Sequence, residues 1–251
     1  MPFTFSHPAI VLPFCKLKKI PFSITGLVMG SIAPDMEFLF RMIETNSFAH
    51  RWPGIVWFNI PFALAFSFIF HYFFRNPLIL HLPKFFRQRL TPFLFFNWVA
   101  YFKKNRLRFL VSVCIGILSH IFLDAFTHED GIFVTMNVAF YQTLVVFNQP
   151  LPVYVVLQLA SSVAGAIYIV WFVAWMKKAT DVKNGQNIFV FWGSMIVIFA
   201  GCFILRVVID KAHQKLDDIV VAWFGCGVYA FMITCVLYYN KTKHILIKNP
   251  R

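Results

Sequence analysis

Apolar residues in this chain gather in long unbroken runs, without the alternation of a half-buried strand or the three-to-four-residue rhythm of a surface helix. Five runs, residues 53–74, 107–126, 153–176, 188–209 and 219–239, reach the length needed to cross the membrane. That crossing takes about 20 residues over a hydrocarbon core of about 30 Å. A sixth run, 21–40, is as long, although Asp35 and Glu37 interrupt its second half. A shorter run, 2–15, is broken by Pro8 and Pro13. Within lipid, every backbone donor and acceptor must be satisfied inside the chain, so runs of this kind cross as helices. The pattern predicts an all-α polytopic transmembrane helix bundle, with six spans plus a short N-terminal helix at about 6–17. No internal repeat or low-complexity stretch divides residues 1–251, which are expected to form a single integral membrane domain. No basic stretch precedes the first apolar run, so no cleavable signal peptide is expected.

Composition supports the same solvent. Hydrophobic residues make up 59% of the chain and charged residues 13%, against about 25% charged in soluble domains. The net charge of +13 could point to nucleic acid, but its distribution argues otherwise. Lys and Arg collect at 15–19 (three), 75–108 (eight), 177–183 (three) and 241–251 (four). The intervening connections 41–52, 127–152 and 210–218 hold two, none and two. Basic residues on alternate connections mark the cytoplasmic side. The expectation is a multi-pass protein of the cell inner (cytoplasmic) membrane, with a basic cytoplasmic loop at 75–108 and a cytoplasmic C-terminus. Its partners are membrane lipids and not nucleic acid, since the basic face meets anionic lipid. Within that loop, 91–102 is rich in Phe and Trp and is expected to lie as a helix in the headgroup layer. On the outer side, 131–149 is apolar without charge and is expected to dip into the interface. The five cysteines lie in apolar runs with no paired spacing and read as small hydrophobes.

Ionisable groups inside spans are costly and mark function. His120, Asp124 and His128 recur at every fourth position, which places them on one helix face. Imidazole and carboxylate together suit Zn²⁺. Asp35 lies thirteen residues from Phe22 and His120 thirteen from Leu107, both at the cytoplasmic ends, about 20 Å in at 1.5 Å per residue. His7 falls at a similar level, and His50 enters from the connection between the second and third helices. A lone His or Asp in a bundle is often a helix-to-helix hydrogen bond. Three segments bringing ligand-type side chains to one depth favour a site. His71, His81, His213 and His244 read as interface or loop histidines. Arg206 either snorkels and pairs with Asp210 four residues on, or clamps an anion through its guanidinium. Ser161, Ser162 and Gly165 read as close helix packing.

The opening Met-Pro-Phe-Thr-Phe-Ser-His7-Pro-Ala, Gly30-Ser31 with Pro34-Asp35, and Ser119-His120 with Asp124-Ala-Phe-Thr-His128 and Asp130-Gly131 carry a resemblance. So does Leu151-Pro-Val-Tyr154 with Gln158, Ser161-Ser162 and Gly165. Over roughly residues 1–170 these motifs resemble the bacterial membrane family called domain of unknown function 4184, which implies a fold and no activity. The order His, Asp, His, His-x-x-x-Asp, His is also similar to the ligand order of zinc-dependent phospholipases C and of membrane-bound metal-dependent hydrolases. That likeness implies one metal on Asp35, His50, His120 and Asp124. It also implies a bridge through Asp124 to a second ion near His7, with His128 at a further position. The phospholipases' N-terminal Trp ligand and later His-x-x-x-Glu pair are absent here, so one or two ions are expected rather than three.

Two functions of different class follow. One is a membrane-embedded metal-dependent hydrolase acting on a phosphoester or lipid-like substrate from the outer leaflet. In it Glu37 or His128 serves as general base and Arg206 holds the substrate anion. The other is a non-catalytic transporter or scaffold whose His/Asp cluster is structural or carries ions.

Overall fold

The computed structural model describes residues 4–16, 22–43, 48–179 and 187–248. Long helices dominate it: α1 (Ile24–Arg41), α2 (Trp52–His81), α3 (Arg106–Thr127), α4 (Val153–Ala174), α5 (Ile188–Ile209) and α6 (Leu216–Lys248). Among the described residues, five helical stretches are long and apolar enough to cross a membrane: α2, α3 with its extension to Met136, α4, α5 and the Leu216–Lys243 part of α6. The sixth expected run forms α1, whose 18 residues include Asp35, Glu37 and Arg41 and are too charged to join that set. The chain is an all-α membrane protein.

Local chemistry explains where the helices depart from expectation. The N-terminal run is broken into a 3₁₀ turn (Thr4–Ser6), one α-turn (Pro8–Val11) and a second 3₁₀ turn (Leu12–Lys16). Pro8 is suited to a first helical position, whereas Pro13 has no N–H to continue a ladder. Leu17, the expected end of that helix, lies outside the described residues. The segment 75–108 is not a loop. Helix α2 passes through π turns at Ile55–Asn59 and Phe70–Phe74 and runs on to His81. Short helices follow at Lys84–Leu90, Thr91–Phe95 and Trp98–Lys104. The single helix expected over 91–102 is therefore two, because Asn97 caps the second through Ala100 N–H (3.0 Å).

Between α3 and α4 stands an antiparallel hairpin, β1 (Thr143–Val146) and β2 (Gln149–Pro152). Phe147 (φ 48°) and Asn148 (φ 60°) make its two-residue turn. Such turns need positive φ at both centres. Asn tolerates that conformation, while an ordinary L-residue such as Phe bears roughly 1–2 kcal/mol for it.

Contacts divide the chain into two compact units, each assembled from three stretches. The first comprises Met1–Asp35, Phe48–Leu64 and Phe102–Phe172, and the second comprises Met36–Ser47, Ala65–Tyr101 and Val173–Arg251. In the first, α1 and α3 meet backbone to backbone. A Cβ on Gly26 would come 2.7 Å from the Phe109 carbonyl. One on Gly30 would strike the Val113 carbonyl, and one on Gly116 would strike the Leu27 carbonyl and lie 2.7 Å from Ser31 N. Small residues one turn apart permit this approach where lipid offers no hydrophobic drive between helices. Ser112 Oγ completes the seam by accepting from Ser23 N (2.8 Å). The N-terminal segment lies on α4 at Gly165, with Ser6 Oγ donating to the Ser162 carbonyl (2.7 Å). Ser161 and Ser162 hydroxyls turn back to the Gln158 carbonyl at 3.1 and 2.7 Å, as packing residues do. The second unit is held by aromatic packing around Phe74, Phe191, Cys235 and Tyr238.

Candidate metal centre

The α1–α3 seam sets the site. Because the two backbones touch at Gly30 and Gly116, the next turn of each helix places Asp35 against His120. Both are buried, at 1% and 0% exposure. Asp124 follows His120 by one helical turn on the same face, with its Oδ2 3.0 Å from His120 Nε2. His50 arrives from the turn preceding α2. Asn59 Nδ2 ties that turn down by donating to the Ala49 carbonyl (2.8 Å), and Gly54 leaves room for Phe48.

Asp35, His50, His120 and Asp124 thus each offer one ligand atom, all within 4.8 Å of one another. His120 Nε2 lies 3.4 Å from Asp35 Oδ1 and 3.3 Å from His50 Nε2. His50 Nε2 lies 3.7 Å from Asp35 Oδ1 and 3.3 Å from Asp124 Oδ2. This group could hold a metal ion. Its outer contacts are those a ligand set requires. His120 Nδ1 is 2.7 Å from the Ser31 carbonyl, an acceptor only, so Nδ1 carries the proton and Nε2 can offer its lone pair inward. Thr4 Oγ1 donates to Asp35 Oδ2 at 2.7 Å.

His7, 1% exposed, stacks on His120 with ring centroids 3.9 Å apart. Its Nε2 faces the outer oxygens of the same carboxylates, 3.8 Å from Asp35 Oδ2 and 3.9 Å from Asp124 Oδ1. Both ring nitrogens of His7, and Asp124 Oδ1, are buried without a hydrogen-bond partner. Leaving such a group unpaired costs about 1–3 kcal/mol each. A protonated His120 bridging the carboxylates accounts for Asp124 Oδ2 and Asp35 Oδ1. It leaves these three atoms unexplained, and it places a second imidazole nitrogen, His50 Nε2, against its own N–H. Nitrogens and oxygens converging on a common point fit a cation better.

His128 does not continue the helical stripe. Helix α3 ends at Thr127, and His128 is its extended C-cap, its N–H bonded to the Asp124 carbonyl (3.1 Å). From there Nδ1 still comes within 3.4 Å of Asp124 Oδ1, with the side chain 28% exposed.

Glu37 and Arg206 belong to the second unit. Two positions after Asp35 on α1, Glu37 points roughly 200° around the helix from it, and it pairs with Arg41 at 3.0 Å. Arg206 is engaged by Asp210 Oδ2 (3.3 Å) and by the carbonyls of Met42 (3.0 Å) and His213 (3.3 Å). Asp210, half-buried just beyond the end of α5, has its carboxyl held below the usual range, first by its hydrogen bond from His213 and then by Arg206. Arg206 therefore ties the α5–α6 turn to the end of α1, the pairing alternative of the sequence reading.

His81 and His71, read from sequence as interface or loop groups, are helical residues. His81 is wholly buried, stacked on Phe191 at 4.2 Å, with Nδ1 2.7 Å from the Pro77 carbonyl. His71 stacks on Trp98 at 4.5 Å. The side chain of His244 lies outside the described residues. Sequence reasoning passed over Thr4 and Ser31, which carry no charge or metal-ligand signature. The one available signal for each is its place in a turn next to a ligand.

Comparison with family models matches residues 1–239 to the family described as Domain of unknown function (DUF4184). No curated protein and no solved structure matches the chain.

Proposed function

The chain belongs to the Domain of unknown function (DUF4184) family, and from that premise we propose that it is a membrane-embedded metal-dependent hydrolase. Its substrate is a phosphoester or lipid-like molecule reached from the outer leaflet of the cell inner membrane. One observation carries the reading: a buried set of imidazole nitrogens and carboxylate oxygens turned towards each other, with Asp124 Oδ1 and His7 Nε2 lacking a hydrogen-bond partner.

His50, His120, Asp35 and Asp124 would hold one ion, and nitrogen with carboxylate donors favours zinc. A second ion would be held by His7 with the Asp35 and Asp124 carboxylates, whose Oδ2 and Oδ1 lie 3.8 and 3.9 Å from His7 Nε2. A bound divalent ion supplies Lewis acidity, which makes water a nucleophile near neutral pH and draws charge from a phosphoryl oxygen. The protein's own groups do the rest. Ser31 and Thr4 fix His120 and Asp35 in orientation. Burial keeps bulk water from Asp35 and His120, while His50 stays partly exposed. His128, partly exposed and 3.4 Å from Asp124, sits where a proton can be received at one ring nitrogen and passed to water from the other.

Elemental analysis of detergent-purified protein, paired with turnover of a chromogenic phosphodiester with and without chelator, tests this. Stoichiometric zinc with chelator-sensitive hydrolysis is expected. Metal without hydrolysis of any phosphoester would favour the non-catalytic scaffold or transporter. Protein free of metal after purification in zinc-supplemented buffer would sink the metal reading.

A further inference from the structure

The hairpin between α3 and α4 has no part in the ligand group, yet its make-up is unusual for a connection that leaves a membrane. From Gly131 to Pro152 there is no charged residue. The exposed side chains are apolar instead: Phe147 is 98% exposed, Val138 80%, Met136 78% and Val145 74%. Phe147 stands at the tip in a left-handed conformation that favours Asn or Gly, and it touches almost nothing of the protein. A large aromatic kept in a strained position without protein contact needs a partner elsewhere.

The backbone points to the same partner. The register pairs Val146 with Gln149 and Leu144 with Leu151 as the hydrogen-bonded rungs, since Val153 N–H continues that series to the Gln142 carbonyl (3.0 Å). The rungs between them are Val145 with Pro150 and Thr143 with Pro152. On those rungs the N–H of each strand points outward, away from its partner. In β2 both such positions are proline, so the free edge of that strand presents no N–H at all. Unpaired donors are costly wherever water is scarce. Edges facing water are blunted by Lys or other charges as well as by proline; this one uses proline alone and carries no charge. A lone two-stranded hairpin is marginal in water, and it needs an adjoining surface.

We infer that the hairpin Thr143–Pro152 is an interfacial anchor, lying in the leaflet beside the metal centre with Phe147 inserted among the acyl chains. The occupant of this surface is lipid, because the hairpin is uncharged and joins two spans that themselves expose apolar side chains. Leu118 and Phe122 on α3, and Val163 and Ile167 on α4, are exposed there. His128 caps α3 fifteen residues before the hairpin, at the start of the same connection, so the anchor keeps the partly exposed end of the ligand group at the depth of lipid headgroups. The anchor itself holds whether or not the centre is hydrolytic.

The test uses full-length protein with its native cysteines replaced, reconstituted in nanodiscs of phosphatidylglycerol and phosphatidylethanolamine. Nitroxide labels are placed by Phe147→Cys and, for a water-facing reference, Asp130→Cys. The label at 147 should be more accessible to oxygen than to a water-soluble nickel complex, and the label at 130 the reverse. Should the cysteine-free background not fold, Phe147→Trp in the native background gives the same reading. Brominated lipids should then quench an emission component that the parent protein lacks. A label at 147 open to the nickel complex would overturn the inference. So would one shielded from both reagents, because that marks a protein contact such as a second copy of the chain.

Discussion

Both units bury histidines completely, and the surroundings divide them. His120 in the first unit faces two carboxylates and a second imidazole within 3.4 Å. Its stacked neighbour His7 keeps both nitrogens without a hydrogen bond. His81 in the second is equally buried, but its Nδ1 rests on the Pro77 carbonyl of its own helix and its ring lies between Phe191 and Tyr238. Among the described residues, the carboxylates of Asp35 and Asp124 are what turn the first arrangement into a candidate site. A buried histidine next to carbonyls and aromatic rings is a packing residue, and one facing two buried carboxylates could hold a metal ion.

The largest expected effect separates these two histidines. His120→Ala or Asp124→Ala should leave the purified protein without metal, whereas His81→Ala should keep full metal content. The latter variant loses stability by about 3 kcal/mol, the range for truncating a buried ring. Elemental analysis and thermal unfolding on the same preparations give both readings. Metal lost from His81→Ala and kept in His120→Ala would reverse the comparison.

Next in size is the seam that positions the ligands. Gly116→Leu cannot coexist with the Leu27 carbonyl, so α1 and α3 must separate. Overpacking of this kind costs about 1–3 kcal/mol, and metal occupancy should fall with it. Gly193→Leu on α5, with nothing within 4 Å of its added Cβ, is the matched control and should change neither quantity.

The outer atoms of the cluster sharpen the picture further. His7→Ala should halve the zinc stoichiometry of a two-ion protein, and His128→Ala should leave it nearly intact while slowing turnover. The reason lies in placement. His7 is locked between α1 and α3, whereas His128 sits past the last turn of α3 and its ordering must be supplied by binding. Loss of all zinc from His128→Ala would make it a core ligand.

The smallest effect concerns Asp210. Its folded-state pKa is depressed, so its contribution is present above the ordinary carboxylate value of about 4 and is lost as pH falls through the lower folded value. Asp210→Asn should therefore narrow its stability gap to the parent on acidification below pH 4. A gap that widens there would show that the His213 and Arg206 contacts do not hold the carboxylate charged.

Much of this protein was legible in its sequence. Length and apolarity decide for themselves that residues 188–209, with Arg206 as their one charge, or the uncharged 153–174 cross a membrane, because lipid leaves the backbone no alternative to a helix. The spacing of His120 and Asp124 puts them on one face for the same geometric reason. Other features depended on contacts between distant segments. Only the α1–α3 seam brings Asp35 to His120, since the closeness of two helices is set by glycines 86 residues apart in Gly30 and Gly116. Only the tertiary structure stacks His7 on His120, ends α3 one residue before His128, and buries His81 among rings instead of leaving it in a loop. Periodicity reports which face of a helix a residue occupies. What lies across from that face is decided by packing, and there the difference between a ligand and a core histidine was made.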